Sequence, residues 1–249
     1  MWRSLISAMQ FLTIIPLGSS QRFEAHKALP LFPICGVIIG GMLAAVDYLG
    51  ALLWPHQAVA VVDVVFLTVI TGALHLDGLA DTADGLYGQR TTERALDIMK
   101  DSRIGAMGMV AVVCCLAIKW AGLSSFQTEV HPLRPLWLCL VPALSRSTII
   151  FAVRLLPYGR PNGGTGSPFF QHPLRHIDYW PLGLLAIIIL AMDAWAAVWI
   201  GIGLASLTAA LLLYYRIKIN CITGDMLGAM IEVTESGLFL LLAASGRFL

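Results

Sequence analysis

The sequence predicts an all-α fold: a single polytopic integral membrane helix bundle of about seven transmembrane helices (six to seven). The chain has 249 residues, of which 58% are hydrophobic and only 12% are charged, and its mean hydropathy is +0.79. Soluble domains carry about 25% charged residues, so this chain lacks the polar surface of an ordinary cytosolic enzyme. The hydrophobic content excludes a disordered chain, and a net charge of +1 excludes a basic nucleic-acid binder.

The apolar stretches give the expected spans, since a membrane-spanning helix needs about 20 mostly apolar residues. Residues 180–213 are too long for one span and short for two, so we expect a turn at Asp193 that divides them. The N-terminal segment 1–29 contains an amphipathic run, residues 2–15, which we expect to lie in the membrane interface. Five further stretches are long enough to span: residues 31–53, 58–76, 104–123, 136–156 and 227–245.

The distribution of Lys and Arg predicts the orientation of these spans. With the N-terminus in the cytoplasm, the outer segments contain Arg134 and Arg247, while Lys119 and Arg146 lie within spans. Such an asymmetry is typical of cytoplasmic loops in membrane proteins. Most acidic residues lie on the same side, so we expect the active site at the cytoplasmic helix ends. The inner segments contain Arg3, Arg22, Lys27, Arg90, Arg94, Lys100, Arg103, Arg154, Arg160, Arg175, Arg216 and Lys218.

Residues 77–103 form a cytoplasmic acidic motif. Asp77, Asp81 and Asp84 are spaced i, i+4, i+7 and share one helix face, and Asp97 and Asp101 repeat the i, i+4 spacing before the next span. Carboxylates at the ends of two antiparallel helices repel one another unless a cation lies between them. Mg²⁺ prefers carboxylate oxygens and keeps positions open for phosphates. The motif therefore predicts a magnesium site; the alternative is a solvated acidic turn balanced by nearby Arg and Lys side chains.

Basic and glycine-rich segments accompany the carboxylates. Arg90, Arg94 and Arg103 lie within the acidic motif and suit phosphate oxygens. The cytoplasmic Gly/Pro-rich loop 157–179 contains Arg160 followed by the sequence NGGTGS, whose backbone N–H groups, at Gly164 and Gly166 among others, can hold a phosphate. The alternative interpretation of this loop is a plain connector. Metal and arginines together at a membrane surface indicate phosphoryl transfer.

Four further polar positions complete the candidate site. His75, at the inner end of the second span, is either a general base or a helix cap, and the sequence leaves both open. Asp225 begins the last span, which also carries Glu232 and Glu235. Acidic side chains inside a span usually face the bundle interior. We expect them to extend the metal or substrate cavity inward; the alternative is structural pairing with Arg146 or another polar residue.

Several long motifs resemble those of the cobalamin synthase family, the adenosylcobinamide-GDP ribazoletransferases. They are HLDGLADTADG, IMKDSRIGAMG, FLTIIP, LPLFPICGVIIGG and TGDMLGAMIEVTE, and together they cover nearly the whole chain. The resemblance implies Mg²⁺-dependent condensation of adenosylcobinamide-GDP with α-ribazole or its 5′-phosphate. It further implies release of GMP and a location in the bacterial cytoplasmic (inner) membrane, among membrane lipids. Whether the chain forms a homo-oligomer is left open.

A looser similarity links the aspartates to the CDP-alcohol phosphotransferases, whose pattern is DxxDGxxAR followed by DxxxD. Asp81, Asp84 and Gly85 match the first half, and Asp97 and Asp101 match the end. The Ala-Arg pair is absent after Gly85, and the intervening segment is shorter. By analogy with the last aspartate of that pattern, Asp101 is the expected general base.

Two other functions therefore stand beside the transferase. A CDP-alcohol phosphatidyltransferase-like enzyme would use the same aspartates on a lipid. A cation-coupled transporter would use Glu232 and Glu235 as its path, although transporters usually contain an inverted repeat, and none is clear in this sequence.

Overall fold

The computed structural model describes residues 2–18, 24–126, 133–160 and 163–245, and within these ranges the chain is helical without a named strand. The N-terminal segment 1–29 and the loop 157–179 are thus described in part, and Arg22 and Arg247 lie outside the described residues. The helices are α1 (Trp2–Leu12), α2 (Ala25–Ala28), α3 (Phe32–Ala51), α4 (His56–Ile70), α5 (Leu74–Leu86), α6 (Thr92–Ile98), α7 (Ala106–Ser125), α8 (Arg134–Leu155), α9 (Trp180–Met192), α10 (Ala194–Lys218) and α11 (Gly224–Ser245).

The helix lengths confirm a polytopic helical membrane bundle but support fewer spans than seven. Five helices in the described part are long and apolar enough to cross a membrane, and a sixth span exists if α4 and α5 count as one. The segment His176–Met192 is apolar but shorter. The five are Ala25–Ala51, Ala106–Ser125, Arg134–Leu155, Ala194–Lys218 and Gly224–Ala244.

The expected turn at Asp193 is present, because this residue separates α9 from α10. Its side chain accepts hydrogen bonds from the backbone N–H groups of Trp195 (2.8 Å) and Ala196 (3.0 Å). Asp193 is thus the N-cap of α10 and satisfies two amides that the first helical turn leaves without partners.

The second expected span, residues 58–76, is not one continuous helix. α4 ends at Ile70, and α5 continues at an angle of 86°. Gly72 and Ala73 between them have φ values of +60° and +57°, and such left-handed residues end a helix. The bend turns α5 against α7 and α11. The prediction of a straight span to residue 76 is therefore wrong.

Glycines allow α5 and α11 to approach closely. A Cβ atom at Gly78 of α5 would lie 2.6 Å from the backbone oxygen of Asp225, and one at Gly228 would lie 3.2 Å from the Cα of His75. Small residues at helix contacts are typical of membrane bundles. This contact places the aspartates of α5 beside the start of α11.

A buried ion pair lies among α3, α4 and α8. Arg134 of α8 donates to Asp47 of α3 at 2.5 Å (Nη2 to Oδ1), and its guanidinium lies 3.6 Å from Asp63 of α4. All three side chains are buried. The pair joins the first spans to α8.

Helix α1 has the amphipathic character expected of residues 2–15. Ala8, Met9 and Leu12 are buried against the bundle, whereas Trp2 is 72% exposed. Its location in the membrane interface stays a prediction.

Candidate active site

Three segments meet at one end of the bundle: α5, the loop after α8, and the start of α11. The loop is fixed to the segment just before α11 by backbone hydrogen bonds, from Gly159 N to Ile222 O (2.8 Å) and from Ile222 N to Pro157 O (2.9 Å). Gly166 also packs on Gly224, since a Cβ at Gly166 would lie 3.1 Å from the Gly224 Cα. The glycine-rich loop thus lies directly over the first residues of α11.

Arg160 and Asp225 form the central ion pair of this junction. The Nη2 group of Arg160 donates to Asp225 Oδ2 and to the backbone oxygen of Met99 (3.2 Å). Thr223 donates its hydroxyl to the same carboxylate oxygen of Asp225 at 3.2 Å. The Arg160 Nε is buried and has no hydrogen-bond partner. The guanidinium therefore retains a donor for a further acceptor such as a phosphate oxygen.

A cavity of about 60 Å³ opens beside this pair, lined in part by His75, Asp77, Gly166 and Asp225. All four are residues that the sequence predicts for the site, and they come from three separate segments. His75 is buried, and its Nδ1 atom has no hydrogen-bond partner. Glu232 and Glu235 do not line this cavity.

The carboxylates around Asp81 carry an excess of negative charge. Asp77, Asp84 and Asp225 are the acidic groups that act most strongly on the half-buried Asp81, and Arg160 is the main opposing cation. Carboxylates held close together in a partly desolvated site disfavour a further negative charge and favour a bound cation. The carboxylate oxygens of this site are therefore the kind of ligand that a hard divalent ion prefers.

In the described ranges no three His, Cys, Asp or Glu side chains are arranged to hold a metal ion by themselves.

Asp84 is bound to the N-terminus of α7. Its Oδ2 accepts the backbone N–H of Gly105 at 2.6 Å, and its Oδ1 accepts that of Gly108 at 2.9 Å. A Cβ at either glycine would lie 2.4 Å from the carboxylate oxygens, so the contact requires glycine. Each carboxylate oxygen has a second lone pair, so a metal contact is still open to Asp84.

The second aspartate pair lies at the surface. Asp101 is bound by Arg103 through Nε to Oδ1 (2.9 Å) and Nη2 to Oδ2 (2.6 Å). This guanidinium lowers the pKa of Asp101 to about 2, mainly through the side-chain hydrogen bond. Asp97 is exposed on α6, which the sequence did not separate from α7. Asp77, Asp84 and Asp225 act on Asp81, whereas Asp97 and Asp101 of the second expected stripe are not among the groups that do so.

The expected phosphate ligands of the acidic motif are exposed. Arg90 donates to the backbone oxygen of Asp84 at 3.1 Å, and the Arg94 backbone is capped by the Thr91 hydroxyl. Gly164, in the loop, has φ +149°, and a Cβ there would lie 2.6 Å from the Tyr158 hydroxyl oxygen. The loop contacts the acidic motif directly, because Arg160 donates to the backbone oxygen of Met99.

The two glutamates of α11 belong to a buried ion network. Lys119 of α7 donates to Glu232 at 2.6 Å and to Glu235 at 2.9 Å, and Arg146 of α8 donates to Glu235 at 2.7 Å. Ser145 adds a hydrogen bond of 3.3 Å to Glu235. The structure thus has the pairing that the sequence left as the alternative, and it adds Lys119, a lysine within a span for which the sequence offered no partner.

Comparison with known proteins assigns the family. The family model described as cobalamin-5-phosphate synthase matches residues 4–244. The chain belongs to the cobalamin-5-phosphate synthase family. Membership identifies it as an enzyme of the transferase class, in agreement with the motifs around Asp81 and Asp225.

Curated relatives extend over nearly the whole chain. An adenosylcobinamide-GDP ribazoletransferase of Syntrophobacter fumaroxidans is 35% identical over 94% of this chain and 96% of its own length. Proteins of the same name from Alkaliphilus metalliredigens and Desulfitobacterium hafniense are 37% and 35% identical, over 95% and 96% of this chain and 92% and 95% of their own lengths. No solved structure matches.

Proposed function

We propose that the protein joins adenosylcobinamide-GDP to α-ribazole, or to α-ribazole 5′-phosphate, and releases GMP. The products are adenosylcobalamin or its 5′-phosphate. The observation that carries the proposal is the convergence of Arg160, Asp77, Asp81 and Asp225 in a chain of the cobalamin-5-phosphate synthase family. The names of the relatives supply the substrate.

The transfer makes one P–O bond and breaks another. The ribose hydroxyl of the ribazole attacks the phosphorus attached to cobinamide, the pyrophosphate bridge opens, and GMP takes the bridging oxygen. The hydroxyl proton passes to a base of the protein. Catalysis of this kind consists mainly of positioning and of neutralising charge on the phosphoryl oxygens.

The chain supplies cations and backbone donors for the pyrophosphate. Arg160, which is paired with the cavity-lining Asp225, has an unpartnered Nε, and Gly164 and Gly166 lie in the same loop. Arg90, Arg94 and Arg103 border the site from the acidic motif and are proposed to hold the outer phosphate oxygens.

Mg²⁺ is the proposed cofactor. Asp77, Asp81, Asp84, Asp97 and Asp101 are its proposed ligands, and Asp225 is adjacent. When bound, the ion neutralises charge on the pyrophosphate and on the leaving phosphate. The excess negative charge around Asp81 supports this assignment.

Two residues are proposed as the base. Asp101 is favoured by the analogy with the last aspartate of the CDP-alcohol phosphotransferase pattern, but it is bound to Arg103. His75 is favoured by its position, because it lines the cavity and its Nδ1 has no partner.

The proposed topology has seven spans, with the bent pair His56–Ile70 and Leu74–Leu86 as one and the short His176–Met192 as another. The N-terminus and the active site face the cytoplasm across the bacterial inner membrane. The distribution of Lys and Arg in the sequence supports this orientation.

The test uses the purified chain in proteoliposomes with adenosylcobinamide-GDP, α-ribazole and Mg²⁺, and measures GMP and the cobamide product by chromatography. We expect both products in equal amounts. A parallel reaction with CDP-diacylglycerol and an alcohol acceptor tests the lipid enzyme, and ion flux without nucleotide release would indicate a transporter. Product from the lipid donor alone would overturn the proposal.

A further inference from the structure

A second cavity, of about 400 Å³, lies apart from the active site. Its lining comes from three segments: Ser4 of α1, the first turns of the first span, and the residues that precede α9. It shares no lining residue with the cavity beside Arg160 and Asp225. The proposed reaction makes no use of it.

Two cations, Lys27 and Arg175, line this cavity together with the carboxylate of Asp178. Lys27 pairs with Glu24, and this pair is exposed, with side chains 56% and 47% accessible. Arg175 makes only a long contact of 3.4 Å with Asp178, whose side chain is 13% exposed and also accepts the Arg175 backbone N–H at 2.7 Å. Exposed ion pairs contribute little stability, so an incoming phosphate can replace Glu24 and can share the exposed guanidinium of Arg175 with Asp178. Two cations against one carboxylate in the lining therefore favour an anion.

The cavity lies at the beginning of two apolar helices, where we expect the membrane surface. Lys27 lies at the beginning of the candidate span Ala25–Ala51, and Trp180 begins α9. Ile177 is 62% exposed and Trp180 is 42% exposed. Exposed tryptophan and isoleucine at the ends of spanning helices are suited to the boundary between headgroups and acyl chains. A ligand here meets cations on one side and apolar side chains on the other.

We propose that this cavity binds the phosphate headgroup of an anionic phospholipid. Lys27 and Arg175 contact the phosphate oxygens, Ser4 and His26 add further hydrogen-bond donors, and the acyl chains run past Ile177 and Trp180. Basic pockets between helices at the cytoplasmic surface bind anionic headgroups in this way. A soluble phosphate ligand would make no use of the apolar wall, so the combination favours a lipid.

Bound lipid would also support the active site from a distance. Ser4 belongs to α1, and Phe11 of the same helix contacts Phe32 of α3 (5.8 Å between ring centroids) and Phe169 of the loop (5.2 Å). Phe11 lines the cavity beside Asp225. A lipid that joins α1 to the start of α9 therefore stabilises one wall of that cavity.

The test measures lipid retained by the purified full chain in detergent. Radiolabelled phosphatidylglycerol or phosphatidylcholine is added, and bound lipid is counted after gel filtration. We expect phosphatidylglycerol to be retained roughly tenfold better, because two cations face its charge. The double variant Lys27→Gln with Arg175→Gln should retain both lipids equally. The matched control replaces two exposed arginines elsewhere on the expected inner surface, Arg154→Gln with Arg216→Gln, and should keep the preference.

Three results would overturn the proposal. They are equal retention of the two lipids by the unmodified chain, an undiminished preference in the Lys27 and Arg175 variant, and an equal loss in the control variant. Displacement of phosphatidylglycerol by inorganic phosphate at equal concentration would assign the cavity to a soluble anion and also overturn it. None of these four results depends on turnover, so failure of the proposed function leaves this test intact.

Discussion

Arg160 donates a hydrogen bond from Nη2 to Oδ2 of Asp225, across 65 residues of sequence. Arg160 is a proposed phosphate ligand, and Asp225 lies beside the proposed metal ligands; without phosphate and metal, the two side chains neutralise each other. A magnesium pyrophosphate offers each group a replacement partner at the same time. Metal and nucleotide should therefore bind the site cooperatively.

Replacing Asp225 by Asn tests this coupling. Asparagine keeps the shape and one acceptor oxygen but removes the charge that holds Arg160, so GDP without Mg²⁺ should bind several-fold tighter than to the unmodified chain. The benefit of Mg²⁺ for GDP binding should shrink by roughly tenfold, the effect of losing one charged partner. Calorimetry with and without Mg²⁺ measures both values. The control Asp178→Asn removes the partner of Arg175 and should change neither; unchanged metal-free GDP binding in the Asp225 variant would contradict the coupling.

Replacing Asp81 by Asn should abolish turnover while the protein stays folded in the membrane. Asp81 lies among Asp77, Asp84 and Asp225, so its loss removes charge from the proposed metal site without opening a cavity. We expect GMP release to fall at least about a hundredfold, as for loss of a metal-site charge. GMP release close to that of the unmodified chain would exclude the metal assignment. Detergent-extracted yield and thermal aggregation serve as folding controls.

Asp84 and Gly108 should have linked phenotypes. If Asp84 acts by holding α7, Gly108→Ala should reproduce the loss of turnover of Asp84→Asn, because an added Cβ would lie 2.4 Å from the carboxylate. In that case neither variant changes the Mg²⁺ concentration needed for half-maximal GMP release. If Asp84 is also a metal ligand, as we propose, Asp84→Asn alone raises that concentration roughly tenfold. A magnesium titration of both variants separates the two roles.

The buried network predicts a stability effect separate from catalysis. Lys119→Met leaves Glu232 without its cation and deprives Glu235 of one of two, and breaking a buried pair in this way costs about 3–5 kcal/mol. We expect a clearly lower thermal aggregation midpoint. The exposed Lys100→Met should have almost no effect, and adding Glu232→Gln to the Lys119 variant should recover part of the loss. An unchanged midpoint for Lys119→Met would show that the network does not stabilise the bundle.

The two proposed bases can be told apart by kinetics. Loss of a general base lowers kcat by about 10²–10⁴ and leaves KM nearly unchanged. We expect His75→Gln to behave in this way, since His75 lines the cavity and Asp101 is bound to Arg103. Asp101→Asn should then act mainly on the Mg²⁺ requirement. If Asp101→Asn instead lowers kcat and His75→Gln does not, Asp101 is the general base.

Local spacing predicted part of this site well. The low charge content indicated a membrane bundle, the i, i+4 spacing placed Asp77 and Asp81 on one helix face, and the acid at position 193 marked the break between α9 and α10. Each of these inferences depends on neighbours in the sequence, where helix geometry determines the outcome.

Long-range contacts could not be obtained from spacing. The bend after Ile70 depends on two left-handed residues, and one of them is Ala73, a residue type that gives no such signal. The partner of Arg160 lies 65 residues away in the sequence. The sequence left two roles open for Glu235, and only the structure shows that Lys119 and Arg146 pair with it. Such pairings depend on how segments that are distant in the sequence pack together.

The most direct test of the proposed reaction is GMP release from adenosylcobinamide-GDP by the purified chain, measured with and without Mg²⁺ and with and without α-ribazole. We expect release only when Mg²⁺ and α-ribazole are both present, with one cobamide formed for each GMP. Release that persists after chelation of Mg²⁺, or a complete lack of cobamide product with both present, would contradict it.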